Sequence, residues 1–168
     1  MAPAAADTLY NFLTDTGTKP TDYDLILTGD LGKVGSQLLK DILHRQNINI
    51  SENYNDCGLM IFDLEGQDVH AGGSGCGCSG SVFCSYIMKQ LQMGRLKNIL
   101  FMATGALMSP TSSHFCSAER QFRLPIEYGG QRTPTAQWTV TGSGAALLDK
   151  SGGDVTVKYI TIGALNII

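Results

Sequence analysis

The residues best suited to chemistry stand in one short stretch, residues 71–79, which reads AGGSGCGCS and runs into an apolar segment with the period of a helix. Cys76 and Cys78 fall where that helix begins. A helix N-terminus carries partial positive charge and unpaired backbone N–H groups, so it lowers a thiol pKa and offers donors to an oxyanion. Nucleophilic cysteines are commonly placed this way, but they also need a base. Three histidines are available: His44 at a helix end, His70 just before the loop, and His114 in an irregular stretch. None has a spacing that pairs it with either thiol. The alternative is that Cys76 and Cys78 are small residues packing a tight turn, and the sequence leaves both readings open.

Other patterns fit this loop less well. Gly75, Gly77 and Gly80 have the spacing of a dinucleotide fingerprint between a short strand and a helix, but no acidic residue ends a strand about 20 residues further on. Cys76 and Cys78 are too close together for a usual zinc knuckle, and no second close pair exists. Neither a nucleotide cofactor nor a metal site is therefore expected. Asp30, in the run Thr28-Gly29-Asp30, follows a strand. Ligands of open α/β sheets gather at the carboxyl edge of the strands, so Asp30 either faces a ligand or N-caps the next helix. Ser112, Ser113 and His114 are expected near the same edge, with His114 either a ligand contact or a solvated loop residue.

The flanking segments supply the scaffold. Residues 2–16 read as a helix with Pro3 in its first turn, Leu9, Phe12 and Leu13 on one face, and Gly17 as its stop. Strands are expected at 24–28 (DLILT), 57–62 (CGLMIF) and 98–103 (NILFMA). Helices are expected at 33–46, with Val34, Leu38, Leu39, Ile42 and Leu43 at helical spacing, and at 79–93, with Val82, Phe83, Tyr86, Ile87 and Leu91. This alternation implies a parallel sheet covered by helices. Residues 109–135 read as a long loop with one helical turn near 118–122, followed by strands at 135–148 and 155–163 joined by a turn at 151–154.

The 168 residues suit a single domain. The 12 Lys and Arg against 15 Asp and Glu form no basic stripe, so nucleic acid is not an expected partner. The longest nearly apolar run, 99–108, is far short of the roughly 20 residues that span a bilayer. The N-terminus lacks the basic and apolar regions of a secretory signal, and five cysteines in a chain of this kind are expected to be reduced thiols.

Several segments together resemble the stage V sporulation protein AD family, thiolase-fold proteins of spore-forming bacteria. DLILTGDLGKVGSQLLKDIL, NDCGLMIFD, DVHAGGSGCGCSGSVF and NILFMATGALMSPT are similar to the family's C-terminal half; SSHFCSAERQFRLPIEYGG and TVTGSGAALL are similar to part of its N-terminal half. Residues 1–111 and 112–168 thus resemble two halves in exchanged order, with a seam near 110–113. The fold this implies is an α/β thiolase-like half-fold, a mixed, mainly parallel five-stranded sheet covered by helices and ending in an antiparallel hairpin, in one domain over 1–168.

The resemblance makes residues 71–79 the counterpart of a thiolase cysteine loop without its base and paired oxyanion donors, and acyl transfer without these loses several powers of ten. No enzyme activity is expected; the alternative is an acyltransferase-like enzyme with Cys76 or Cys78 as nucleophile. The implied role is to bind dipicolinic acid, with calcium, during its uptake into spores and its release at germination. The implied ligand contacts are Asp30, Ser74, Cys76, Cys78 and His114. The implied partners are the membrane subunits of the stage V sporulation A complex, with the chain in the cytoplasm or forespore, peripheral on the spore inner membrane. Because the helix at 79–93 is apolar on most faces, a homodimer that covers it is also expected.

Overall fold

The computed structural model describes residues 1–73, 75, 77–106, 141–151 and 154–165. Helix α1 runs over the expected Ala2–Thr16, with Pro3 in its first turn and Gly17 at φ 65° closing it; the Gly17 and Thr18 N–H groups turn back to carbonyls of the last turn. A 3₁₀ turn (Pro20–Asp22) leads to β1 (Leu25–Thr28), then α2 (Gly32–Arg45), β2 (Tyr54–Asp56) and the short α3 (Cys57–Met60). A single helix then spans residues 78–92, built from α4 (Cys78–Val82), a π-helical turn (Phe83–Ile87) and α5 (Met88–Gln92). Strand β3 (Asn98–Ala106) and the antiparallel strands β4 (Thr141–Ser151) and β5 (Asp154–Leu165) complete the described chain.

The strands form one sheet in the order β2-β1-β3-β4-β5. The mixed α/β class and the parallel pairing of the first three strands match the expectation. Only β2-β1-β3 are parallel; β3-β4 and β4-β5 are antiparallel. Parallel pairing needs a crossover, and helices follow β1 and β2 but none separates β4 from β5.

Alternate residues of the central strands feed two cores. Ile26, Leu100 and Met102 pack with Leu9 and Phe12 of α1 and Leu39 and Leu43 of α2. Leu27 and Ile99 pack on the other face with Val82, Ile87 and Leu91 of the 78–92 helix. A strand covered on both faces is apolar throughout, which is why LILT carries no alternation.

Three expectations are corrected. The run CGLMIF is not a strand. The strand ends before it, and CGLM forms α3, because the Asp56 side chain accepts the Gly58 N–H at 3.0 Å and caps a helical turn. A short apolar run cannot be told from a buried helical turn by its pattern alone. On α2, Leu39 and Leu43 are fully buried but Val34 is 73% and Leu38 45% exposed, so the buried stripe is narrower than the apolar spacing suggested. The 78–92 helix is not apolar on most faces either. Cys78, Val82, Ile87 and Leu91 form one buried stripe, while Gly80, Ser81, Cys84 and Ser85 are exposed. The expected loop at 109–135 and its helical turn lie outside the described residues, as do residues 135–140 of the fourth expected strand.

Candidate functional site

Strand β1 leads through α2 to β2 on one side of it, and β2 leads through the 78–92 helix to β3 on the other. The two crossovers lie on opposite faces of the sheet. The strand order therefore reverses between the parallel strands β1 and β3, and their carboxyl ends border the kind of crevice in which open α/β sheets hold ligands. Thr28 ends β1, Asp56 ends β2 and Thr104 lies near the end of β3.

Two carboxylates organise this edge. Asp56 is fully buried. Its Oδ1 accepts from the Thr28 hydroxyl at 2.6 Å and the Leu31 N–H at 3.0 Å; its Oδ2 accepts from Gly32 N–H at 2.9 Å and Gly58 N–H at 3.0 Å. One side chain thus caps both α2 and α3, whose first N–H groups have no intrahelical partner. The hydroxyls of Thr28, Tyr54 and Ser36 continue the network at 2.7 and 3.1 Å. Burial raises the Asp56 carboxyl above its ordinary range, with the four hydrogen bonds pulling the other way. Burial also pushes the Tyr54 phenol up to about 12.

Asp30 is half-buried. Its Oδ1 accepts from the Thr104 hydroxyl at 2.8 Å, its own N–H donates to Thr104 Oγ1 at 3.0 Å, and its Oδ2 accepts from the Gly75 N–H at 3.2 Å. Asp30 therefore ties the end of β1 to β3 and to the glycine loop. It does not cap α2, which is the role Asp56 fills.

The loop itself is pinned against the helix starts. The Lys33 N–H donates to Ala71 C=O and the Gly73 N–H to Gly58 C=O, each at 2.7 Å. A side chain at Gly73 would collide with Ile61, and one at Gly58 with the Gly73 carbonyl oxygen. Close backbone approach is why this run is glycine-rich. Residues before the loop are turns rather than a strand, so Gly75, Gly77 and Gly80 lack the context of a dinucleotide fingerprint.

Of the site residues expected from sequence, the structure brings Asp30 and Cys78 to this edge; Ser74, Cys76 and His114 lie outside the described residues. Cys78 is buried at the first position of the 78–92 helix, and its thiol pKa is raised rather than lowered, by burial first and then by the carboxylates of Asp30 and Asp56. The neighbouring Cys57 thiol is pushed up to about 12, by burial and then by Asp56. His70 is exposed and pairs with Asp68 at 3.2 Å, while His44 stands at the far end of α2. Among the described residues, neither is a charge partner of Cys57 or Cys78. Sequence reasoning missed Asp56 and Thr104. Asp56 carried a usable signal, an Asp immediately before an apolar run, which is a helix-start pattern; Thr104 carried none.

Among the described residues, no group of three or more His, Cys, Asp or Glu is arranged to hold a metal ion, and no helix is long and apolar enough to cross a membrane.

Fold and site thus define a doubly wound α/β unit whose glycine loop is tied by a carboxylate to the crevice between β1 and β3. The chain belongs to the stage V sporulation protein AD family, which matches residues 1–113 and again residues 110–167. Over 111 residues, 66% of this chain, it is 51% identical to Stage V sporulation protein AD of Bacillus subtilis (strain 168). The aligned stretch is 32% of that protein, so the chain spans about a third of its length. Family membership assigns the chain to sporulation.

Proposed function

We propose that this chain is a non-catalytic, thiolase-like sporulation protein that binds dipicolinic acid as its calcium chelate at the crevice between β1 and β3. The binding would serve uptake of dipicolinate into the spore and its release at germination. The chain would dock on membrane subunits of the stage V sporulation A complex, peripheral to the inner membrane. The observation that carries the ligand is the contrast between the two carboxylates. A carboxylate has about four lone-pair sites. Asp56 fills four with its hydrogen bonds, whereas Asp30, half-buried, accepts two among the described residues. Asp30 thus keeps acceptor capacity for a hard cation, which takes about six to eight oxygen ligands.

Free dipicolinate, a dianion, would be repelled by this acidic edge. Its calcium chelate arrives neutral, with carboxylates and ring nitrogen already on the metal. It then needs few protein ligands, in keeping with an edge where Asp30 alone keeps acceptor capacity among the described residues. The raised thiol of Cys78, without an imidazole beside it among the described residues, favours binding over acyl transfer.

Calorimetric titration tests the reading. Dipicolinate with calcium should give saturable heat, dipicolinate alone should give little, and Asp30→Asn should weaken binding by about tenfold or more, the value of one charge-assisted contact. No heat under either condition refutes it. The reading also includes association with a second copy of the chain. Light scattering that gives a monomer refutes that part alone.

A further inference from the structure

A second cavity lies away from the β1–β3 crevice, on the flank of the 78–92 helix that faces α3. It is an open groove of about 470 Å³, lined by Leu59, Met60 and Val82 together with Asn55, Ser81 and Tyr86. Its size falls in the range that small-molecule sites occupy. The π-helical turn shapes it. The buried stripe of the helix steps from Cys78 to Val82, then five residues to Ile87, then four to Leu91. A regular helix would carry Tyr86 into that stripe; the wider turn puts Ile87 there and leaves Tyr86 51% exposed at the cavity rim. Widened turns of this kind often mark functional sites, and an aromatic ring held half in water is a ready stacking surface.

The polar lining is specific. Asn55 Oδ1 accepts the Asp56 N–H at 2.8 Å, which orients the amide and, among the described residues, leaves the Nδ2 hydrogens for a ligand acceptor. Ser85, also in the lining, donates its hydroxyl proton to Ser81 C=O at 2.6 Å, which leaves its oxygen as an acceptor. Among the described residues, no carboxylate, ammonium, guanidinium or imidazole lines the cavity. With no charged partner on this lining, a neutral ligand fits it better than an ion. We propose that this cavity binds a neutral aromatic amide, its ring stacked on Tyr86, its carbonyl oxygen on Asn55 Nδ2 and its N–H on Ser85 Oγ. This ligand differs in charge and location from the chelate proposed above.

The test is titration of nicotinamide into the full chain carrying ¹³C-labelled methionine methyls. The Met60 methyl should shift saturably with a Kd on the order of millimolar, as expected for so small a ligand. The Met93 methyl, exposed just past the helix end, should stay in place. Ser85→Leu, which fills the cavity from an exposed helical position, should weaken binding at least tenfold. Tyr86→Ala should do so as well and serves if the leucine variant does not fold. Benzoate, the charged counterpart, should bind at least tenfold more weakly, and calcium dipicolinate should not displace nicotinamide. No saturable shift at Met60, unchanged affinity in a folded variant, or equal affinity for benzoate overturns the proposal. Each can occur whether or not dipicolinate binds at Asp30.

Discussion

Replacing Asp56 by Asn tests how the carboxyl edge is held together. Asn is nearly isosteric but has one acceptor and one donor group where the carboxylate has two acceptors. Its better orientation keeps the oxygen on Gly32 and Gly58 N–H and turns the amide toward Thr28 Oγ1, leaving the Leu31 N–H facing another donor. One stranded buried N–H costs about 1–3 kcal/mol, and changing two charge-assisted bonds into neutral ones costs roughly 1 kcal/mol more. The expected loss is about 2–4 kcal/mol. Asp56→Ala removes every acceptor and strands three backbone N–H groups, so it should cost more, about 3–9 kcal/mol. Against a typical total of 5–15 kcal/mol the alanine variant is at risk of unfolding, which makes Asn the informative substitution. Urea unfolding followed by circular dichroism measures both; the denaturant slope should not change, because the unfolded surface is the same. A loss within about 0.5 kcal/mol for Asp56→Asn, the size of an ordinary surface change, would refute the capping role.

Thiol modification of a Cys76→Ser, Cys116→Ser chain, followed by mass spectrometry, should label exposed Cys84 first; at pH 8 the Cys57 thiolate fraction is about 10³-fold below that of an ordinary thiol, so early labelling of Cys57 contradicts its environment. The same shift predicts alkaline instability. The folded Cys57 keeps its proton to about 12 while the unfolded thiol loses it near 9, so stability is fully present below pH 9 and falls by about 1.4 kcal/mol per pH unit above it. Tyr54 adds a like loss above pH 10. Melting curves from pH 8 to 11 should show the fall, and Cys57→Ala should reduce its slope; parallel curves would count against the burial argument. Gly32→Ala and Gly17→Ala form a matched pair at φ near +65°. Gly17 has open space around an added Cβ, and its loss should be about 1–2 kcal/mol. At Gly32 an added Cβ would sit 2.6 Å from Ala71 C=O, so its variant should lose clearly more in the same unfolding assay, and equal losses would show that the loop is not pinned there.

Features that repeat along the chain were legible in the sequence. The bounds of α1 follow from Pro3, the Leu9-Phe12-Leu13 face and Gly17. Strand β1 follows from an apolar run too short for a helix. Asp30 and the glycine loop were both singled out, and the Gly75 N–H bond to Asp30 joins them. What stayed hidden depends on long-range partners. The apolar run CGLMIF has the composition of a strand; what makes its first four residues helical is the Asp56 carboxylate, which also collects donors about 25 residues earlier in the chain. Tyr86 looked like a core residue because a 3.6-residue period places it there, and a π-helical turn cannot be read from an apolar pattern that assumes a regular helix.

The same reasoning explains why residue type alone could not assign roles at the edge. Asp30 and Asp56 both sit at the carboxyl end of the parallel strands, Asp56 closing β2 and Asp30 just past β1, and each looks able to cap a helix or meet a ligand. Asp56 is enclosed by two helix starts and a threonine, so its whole acceptor capacity goes into the fold and its burial is tolerable only because of those bonds. Asp30 reaches outward to Thr104 and the glycine loop, and remains half-exposed. The division has a consequence for the helix that opens at Cys78. With two carboxylates behind it and burial around it, the Cys78 thiol is raised despite its place at a helix start. Neutralising Asp30 should therefore ease the Cys78 thiol downward and speed its labelling, an effect that Asp30→Asn reads directly alongside its loss of calcium dipicolinate.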